Sequence, residues 1–361
     1  MKILYGISGI GTGHSNRQTP IIEHYASHGA TIAIFAYDES MRICKERFSR
    51  FPNVTMIPVD IPFFAGNASG LDWEATARIN AGKDVITTNS LAMAEATNVV
   101  GNPDIVITDY EPVSAQYAYA WNAPLVTLDQ QSKYLCGIFP EIEGQSFRDE
   151  IMRLSMFFPK AAARLACSFF DVPIGENPFG VRIVPPTLKD QITKLQRSPE
   201  NSVLVYISSQ REFVQNIDAV IEACASHDCR FDVFLPHPFS GQTPPNLRVY
   251  QTGRPQFIEA LSRCKGIVST AGHTLLSEAM YLGIPVYAVP LGVFEQHMNA
   301  RAIAANGFGV AHPVIEGSAL EEFIGRIPEF EYNIREDTSF LLRKPGQHVI
   351  IPILDAIAGG T

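Results

Sequence analysis

The sequence predicts an α/β protein made of two doubly wound, Rossmann-like domains, each with a parallel sheet. The chain has 361 residues, more than a single hydrophobic core usually supports. Short apolar strands alternate with helical segments from the N-terminus onwards, which is typical of parallel βαβ units. The same alternation starts again at residue 202, so the second half predicts a second domain of the same architecture.

The N-terminal half opens with a buried strand at residues 2–8, a glycine-rich turn at residues 9–13 and a helix from about residue 15 to 28. Three later strands are expected at residues 30–37, 104–108 and 124–128. Asp109 and Asp129 follow the last two of these strands. Ligands of open α/β sheets bind outside the carboxyl ends of the strands, so both acids are expected at a binding edge.

The second series begins with a strand at residues 202–208, and four prolines within residues 172–186 mark the approach to a linker. We therefore predict an N-terminal domain over residues 1–186 and a C-terminal domain over 187–339. Residues 340–361 are expected to form a C-terminal helix. It packs either on the N-terminal domain or on the C-terminal domain. The expected C-terminal elements are helices near 213–226 and 255–263 and strands near 231–235, 247–250 and 266–269.

Composition excludes several classes of protein. The formal net charge is −9 and no block of like charges occurs, which argues against a nucleic-acid partner. The six cysteines form no CxxC pair, so neither a zinc site nor a disulfide framework is expected, and a reducing cytoplasm is the predicted location. No signal peptide and no apolar run of about 18 residues is found, so no transmembrane segment is predicted. Peripheral contact with a membrane stays open.

The most informative segment is residues 266–290, where a strand is followed by a small-residue turn and by a helix that begins at His273 and ends at Gly283. The backbone N–H groups of Gly272, His273 and Thr274, together with the positive end of the helix dipole, suit a pyrophosphate. Glu278 lies one helical turn after Thr274, where its carboxylate can accept hydrogen bonds from ribose hydroxyls. The alternative is that Glu278 is a solvated helix residue.

Two further pairs of residues are expected at the donor site. Glu295 and Gln296 follow the next strand and suit the hydroxyl groups of a hexose. Ser208 and Ser209, after the strand that starts at residue 202, either donate to a phosphate or cap a helix.

Taken together, Gly272 and Glu278, the GIPV strand at residues 283–286, and Glu295, Gln296 and Asn299 resemble the donor-binding motif of GT-B glycosyltransferases. The nearest groups are the bacterial peptidoglycan N-acetylglucosaminyltransferases and the UDP-sugar-dependent transferases. The resemblance implies two domains facing across a cleft, a diphosphate at the turn, a ribose at the glutamate and the donor sugar at the acid–Gln pair. The plant-type motif has a His and a Trp at the positions held here by Thr270 and His273, so ring stacking by tryptophan is not carried over.

The N-terminal motif GTGH at residues 11–14 resembles the acceptor-side loop of the same enzymes, with Gly11 and Gly13 in the turn. His14 is the predicted general base, since an imidazole suits proton abstraction from an acceptor hydroxyl near neutral pH. Asp109 is the acid expected to orient it. Binding a phosphate and capping the helix are the alternatives for His14. Arg17, assigned to the same acceptor side, either binds an anion or lies on the helix surface, and the surface position is favoured.

The predicted function is transfer of a hexosyl group from a nucleoside diphosphate sugar, with UDP-sugar preferred, to an acceptor that the sequence does not identify. No cofactor is expected, and no metal site either, because the chain contains no DxD motif and a helix dipole can stabilise the leaving diphosphate. Two alternatives keep the same ligand: a non-hydrolysing nucleotide-sugar epimerase and a non-catalytic nucleotide-sugar binding protein. An NAD-dependent oxidoreductase is disfavoured because His14 stands where the dinucleotide motif needs its third glycine.

Overall fold

The computed structural model describes residues 1–67, 70–142, 146–208, 213, 215–253 and 255–360. The chain forms two compact units, one of Met1–Lys189 with Lys344–Thr361 and the other of Asp190–Arg343. The division therefore falls a few residues after the two boundaries expected from the sequence. None of the helices in these described ranges is long and apolar enough to cross a membrane.

The N-terminal unit contains a seven-stranded parallel sheet with the strand order β3-β2-β1-β6-β7-β8-β9. Its elements are β1 (Lys2–Ile7), α1 (Gly13–Ser27), β2 (Thr31–Ala36), α2 (Asp38–Phe48), β3 (Val54–Pro58), a small hairpin of β4 (Gly66–Asn67) and β5 (Gly70–Leu71), α3 (Trp73–Ile79), α4 (Val85–Val99), β6 (Ile105–Asp109), α5 (Pro112–Trp121), β7 (Leu125–Asp129), a short 3-10 helix (Ser132–Leu135), α6 (Arg148–Phe157), β8 (Ala163–Cys167) and β9 (Val181–Val184).

The central strands of this sheet are mostly apolar and buried, as is typical of a parallel sheet with helices on both faces. On β1, Ile3, Tyr5 and Ile7 pack on one side of the sheet with Ile21 and Ile22 of α1. Leu4 points to the other side and packs in a second cluster, to which α4 and α5 contribute. Alternation along a strand thus builds two cores from one sheet.

Residues 172–186, expected as the approach to a linker, contain a strand that the sequence does not predict, β9. Val181–Val184 pairs in parallel with β8 and closes one edge of the sheet. β9 has only four residues, one of which is the exposed Arg182, so its sequence shows no strand periodicity. The prolines on either side of it favour a loop. An edge strand tolerates both features.

The C-terminal unit contains a six-stranded parallel sheet with the order β12-β11-β10-β13-β14-β15. Its elements are α7 (Asp190–Thr193), β10 (Ser202–Tyr206), α8 (Ile217–Ala225), β11 (Arg230–Leu235), β12 (Leu247–Gln251), α9 (Gln256–Arg263), β13 (Gly266–Ser269), α10 (His273–Leu282), β14 (Val286–Ala288), α11 (Phe294–Ala305), β15 (Gly309–Ala311), α12 (Gly317–Glu336) and α13 (Phe340–Arg343). The two sheets with their helices are the two parallel-sheet domains that the sequence predicts.

The last helix, α14 (Gln347–Ala358), packs in the N-terminal unit, where Ile350 and Leu354 join the core under α1. Gly346 precedes this helix and its N–H donates to the Pro186 carbonyl at 2.8 Å. A Cβ atom at Gly346 would lie 2.1 Å from the Pro185 carbonyl oxygen, so only glycine fits this approach.

Candidate active site

Both sheets reverse their strand order at one point, and the predicted site residues stand there. In the N-terminal unit the reversal lies between β1 and β6, and in the C-terminal unit between β10 and β13. Open α/β sheets bind ligands outside the carboxyl ends of the strands at such a switch point. His14 and Asp109 follow the first pair of strands, whereas Ser208 and Gly272 follow the second pair.

In the N-terminal unit the turn after β1 brings His14 against Asp109. Gly11 has φ +66°, a left-handed conformation that glycine adopts without steric cost, and α1 then starts at Gly13. His14 is therefore the second residue of the helix, which starts two residues before the start expected at about residue 15. Its Nδ1 atom lies 2.8 Å from Oδ1 of Asp109, the last residue of β6.

This contact orients the His14 ring. An ionised carboxylate only accepts hydrogen bonds, so the tautomer with its proton on Nδ1 donates to Asp109 and carries its lone pair on Nε2. Nη2 of Arg17 also lies 3.1 Å from Nδ1. Among the residues that the structure describes, none forms a hydrogen bond with Nε2. His14 is 8% exposed, so the ring is held tightly while Nε2 stays available to accept a proton.

The prediction that Arg17 lies on the helix surface is wrong. Arg17 is 5% exposed and its guanidinium donates two hydrogen bonds to Asp109, from Nε at 3.0 Å and from Nη2 at 2.8 Å. Gln18, which sequence analysis did not select, donates to the same carboxylate at 2.6 Å. The partner of both side chains is about ninety residues away in the sequence, and helical periodicity gives no indication of such a contact.

Asp109 is therefore a fully buried carboxylate with several donors around it. Burial alone would raise its pKa, but the charges of Arg17 and His14 and their hydrogen bonds outweigh burial and lower the pKa of Asp109 to about 2. The side chain is ionised at neutral pH and can stabilise positive charge on the His14 ring. The next residue, Tyr110, has φ +60° and its ring stacks on that of His14 with the centroids 6.4 Å apart.

Two other acids near this edge have structural partners. Asp129, at the end of β7, accepts hydrogen bonds from the backbone N–H and the hydroxyl of Ser132 at 2.6 and 2.9 Å. Glu111 caps α5 and accepts from the N–H groups of Val113 and Ser114, each at 2.7 Å. Burial, only partly offset by these hydrogen bonds, raises the pKa of Asp129 to about 6 and that of Glu111 to about 7.

In the C-terminal unit the turn between β13 and α10 has the form that the sequence predicts. Gly272 is the N-cap residue and α10 runs to Leu282, where Gly283 ends it in a left-handed conformation with φ +72°. No described atom lies within 4 Å of the place where a Cβ atom of Gly272 would be, so a ligand can approach the backbone there. The N–H groups of a first helical turn point along the axis beyond its N-terminus, which makes this end electropositive.

The residue before the cap has an unusual backbone. Ala271 has φ +57° and is fully buried. The left-handed conformation costs an alanine about 1–2 kcal/mol, so the surrounding structure must hold it. Thr270, on the other side of Ala271, accepts a hydrogen bond from the Ser208 backbone N–H at 3.3 Å, and the two hydroxyl oxygens lie 2.7 Å apart. The end of β10 is thereby fastened to the turn. Ser209 lies outside the described residues.

The side chains predicted to bind the donor differ in accessibility. Thr274 is half-buried, whereas His273 is buried and its carbonyl accepts from the Ser277 hydroxyl at 2.7 Å. Glu278 is 4% exposed, and after burial itself its negative charge is the second cause that raises the pKa of Tyr206 on β10.

Helix α11 carries the three remaining donor residues. Glu295 and Gln296 are half-buried in its first turn, and Oε1 of Gln296 accepts from the Leu291 N–H at 2.7 Å. Asn299 is fully buried, and its Nδ2 donates to the Ala271 carbonyl at 2.9 Å. Its amide therefore contacts the backbone of the turn.

Comparison with known proteins agrees with this geometry. The model of the family described as glycosyl transferase family 1 matches residues 1–328. The chain belongs to glycosyl transferase family 1. Membership favours glycosyl transfer over the epimerase and binding-protein alternatives, and the enzyme is a glycosyltransferase.

Individual relatives of this glycosyltransferase are distant or cover little of the chain. An uncharacterized glycosyltransferase of Methanopyrus kandleri, MK0977, is 42% identical over 57 residues, which are 16% of this chain and 17% of that protein. The match thus spans about a sixth of the relative's length. The solved structure of LpCGTa in complex with UDP has 15% identity and a TM-score of 0.67, with 99% of each chain covered. The glycosyltransferase VinC in complex with dTDP has 16% identity and a TM-score of 0.60, with both chains covered completely. These likenesses show the GT-B fold.

Proposed function

We propose that this family 1 glycosyltransferase moves a hexosyl group from a nucleoside diphosphate sugar to an acceptor hydroxyl, with His14 as the general base. The observation that carries this proposal is the 2.8 Å contact between Nδ1 of His14 and Asp109. In the tautomer that donates from Nδ1, Nε2 is the nitrogen that accepts a proton. A positioned base of this kind typically contributes about 10²- to 10⁴-fold to a rate.

The proposed reaction needs only the donor, the acceptor and the side chain of His14. His14 Nε2 takes the proton of the acceptor hydroxyl while the acceptor oxygen forms a bond to the anomeric carbon. The bond between that carbon and the diphosphate oxygen breaks, and its electron pair leaves with the nucleoside diphosphate. Ionised Asp109 stabilises the imidazolium that results, as does the carboxylate of a Ser-His-Asp triad.

The C-terminal unit supplies the proposed donor site. The first turn of α10 binds the diphosphate, and its positive potential stabilises the negative charge that develops on the leaving group. Glu278 accepts from the ribose, and Glu295 and Gln296 bind the donor sugar. The solved complexes of LpCGTa with UDP and of VinC with dTDP support a pyrimidine nucleotide, and we propose UDP-sugar as the first donor to test.

We propose further that transfer needs neither a divalent metal nor a cofactor. The chain contains no DxD motif, and the dipole of α10 stands where a metal would otherwise compensate the diphosphate charge. An excess of EDTA should leave the rate of transfer unchanged. The buried, unpaired state of all six cysteines supports a reducing cytoplasm as the place of the reaction.

Donor binding is tested by calorimetric titration of UDP and dTDP into the wild type and the Glu278→Ala variant. Loss of charge-assisted hydrogen bonds worth about 1.5–3 kcal/mol should weaken nucleotide affinity by about ten- to a hundredfold. Glu321→Ala is the matched control, because Glu321 is exposed on α12 in the same unit. An unchanged affinity in a folded Glu278→Ala protein would remove the ribose assignment.

A further inference from the structure

Asn299 connects two parts of the proposed donor site. It lies on α11 one turn after Glu295 and Gln296, and its Nδ2 donates to the carbonyl of Ala271 at 2.9 Å. Ala271 in turn directly precedes Gly272, the N-cap of α10. A single hydrogen bond therefore joins the helix proposed to bind the sugar to the turn proposed to bind the diphosphate.

The partner of this bond is a residue whose conformation needs support. Ala271 has φ +57° and no exposed surface, and an alanine is less stable in the left-handed region than in the β or right-handed region because its Cβ crowds the backbone carbonyl oxygen. If the carbonyl of Ala271 loses its donor, the peptide that precedes Gly272 can rotate toward a relaxed conformation. The N–H groups at the start of α10 would then change direction.

We propose that Asn299 is a positioning residue, which holds Ala271 in its left-handed conformation and so aims the N-terminus of α10 at the donor diphosphate. This inference rests on the proposed function, since it gives Asn299 a role in donor binding without contact to the donor. The fully buried side chain is consistent with that role.

The experiment is a double-mutant cycle in which UDP affinity is measured by calorimetry. Asn299→Ala removes the donor, and Asn299→Asp keeps the size of the side chain but replaces the N–H donor by an oxygen. Both should weaken UDP binding by about tenfold. Ala271→Gly should restore most of the lost affinity in the Asn299→Ala background, because glycine adopts a positive φ without steric cost.

Rescue at position 271 distinguishes positioning from a general structural role. A side chain that only filled space would lower the melting temperature, and glycine at 271 would restore neither stability nor affinity. Asn306→Ala is the matched control, because Asn306 follows the same helix and its Nδ2 donates at 2.8 Å to Ala302 within it. UDP affinity should stay at the wild-type value in this variant.

Three results would overturn the inference. Wild-type affinity in folded Asn299→Ala and Asn299→Asp proteins would show that the hydrogen bond does not orient the diphosphate site. A further loss of affinity in the Ala271→Gly, Asn299→Ala double variant would show that conformational restriction at 271 comes from elsewhere. Wild-type protein that binds neither UDP nor dTDP would contradict the proposed function itself.

Discussion

At the scale of single residues, the arrangement of the predicted site residues in the N-terminal unit depends on Asp109. It accepts one hydrogen bond from His14, two from Arg17 and one from Gln18. The guanidinium of Arg17 thus fixes the carboxylate that orients the His14 ring. Breaking a buried ion pair on one side leaves the other charge uncompensated, which typically costs about 3–5 kcal/mol.

Substitution of Arg17 should therefore affect stability more than a surface arginine would. We expect Arg17→Met to lower the free energy of unfolding by about 3 kcal/mol in denaturant titrations. Arg42→Met is the control, since Arg42 forms its ion pairs with Glu39 and Glu46 on the exposed side of α2 and should cost less than about 1 kcal/mol. Equal effects of the two substitutions would contradict the burial of the Arg17–Asp109 pair.

The role of a single residue can be predicted from the sequence only where neighbouring residues in the chain indicate its position. His14 and Asp109 each stand next to a strand end, which the apolar runs before them indicate, and the structure brings the two together. The partners of Arg17 and Asn299 come from other elements, 92 and 28 residues away. A surface position for Arg17 was the natural expectation from its place on a helix, because no local pattern shows where strand β6 will lie.

At the scale of elements, the packing of β1 against α5 allows no side chain at residue 6. A Cβ atom on Gly6 would lie 2.1 Å from Oγ of Ser114 and 2.7 Å from Oε2 of Glu111, the N-cap of α5. The missing side chain lets the start of α5 approach the strand that precedes His14. Close packing makes such an approach sensitive to even one added methyl group.

Gly6→Ala should accordingly lower the free energy of unfolding by about 1–3 kcal/mol. Gly325→Ala is the matched control, because Gly325 lies in the interior of α12 with open space around its Cβ position. Alanine there should instead raise the free energy of unfolding by about 0.5–1 kcal/mol through helix propensity. Thermal and urea unfolding of both variants checks the opposite signs, and a neutral Gly6→Ala would contradict the tight contact.

Helices and strands whose ends are marked by glycine or proline were predictable from the sequence. The segment from β13 to β14 matches expectation because Gly283 adopts the left-handed conformation that ends α10, and Pro285, just before β14, cannot continue a helix. Helix α8 begins at Ile217, later than the residue 213 expected, with Asn216 as its N-cap. Strand β9 was missed, since a four-residue edge strand among prolines depends on pairing with β8 rather than on its own sequence.

At the scale of the whole molecule, three buried carboxyl groups with pKa values shifted in opposite directions shape the pH dependence of stability. The pKa of Asp109 is lowered to about 2, so its contribution is complete above about pH 4 and is lost as the pH falls from there toward 2. The pKa values of Asp129 and Glu111 are raised to about 6 and about 7, so their contributions are present at low pH and lost as the pH rises through those values.

The melting temperature should therefore be highest near pH 4, where the contribution of Asp109 is complete and those of Asp129 and Glu111 are still present, and it should fall on both sides. Asp129→Asn should flatten the decline between about pH 4 and 6, because asparagine keeps a hydrogen-bonding partner for the N–H and the hydroxyl of Ser132 without a charge to bury. The gain at pH 7.5 should be about 2–3 kcal/mol. Scanning calorimetry from pH 3 to 8 tests this, and a parallel decline in wild type and variant would contradict it.

In the proposed reaction, the N-terminal unit carries out proton transfer and the C-terminal unit binds the donor. The most direct test measures UDP affinity and the rate of UDP release from UDP-sugars, with a panel of hydroxyl acceptors, in the wild type and in His14→Ala. His28→Ala, at the exposed end of the same helix, is the control. We expect unchanged UDP affinity in His14→Ala and a rate of transfer lower by about 10²- to 10⁴-fold. Full transfer activity in His14→Ala, or loss of UDP affinity with it, would contradict the assignment.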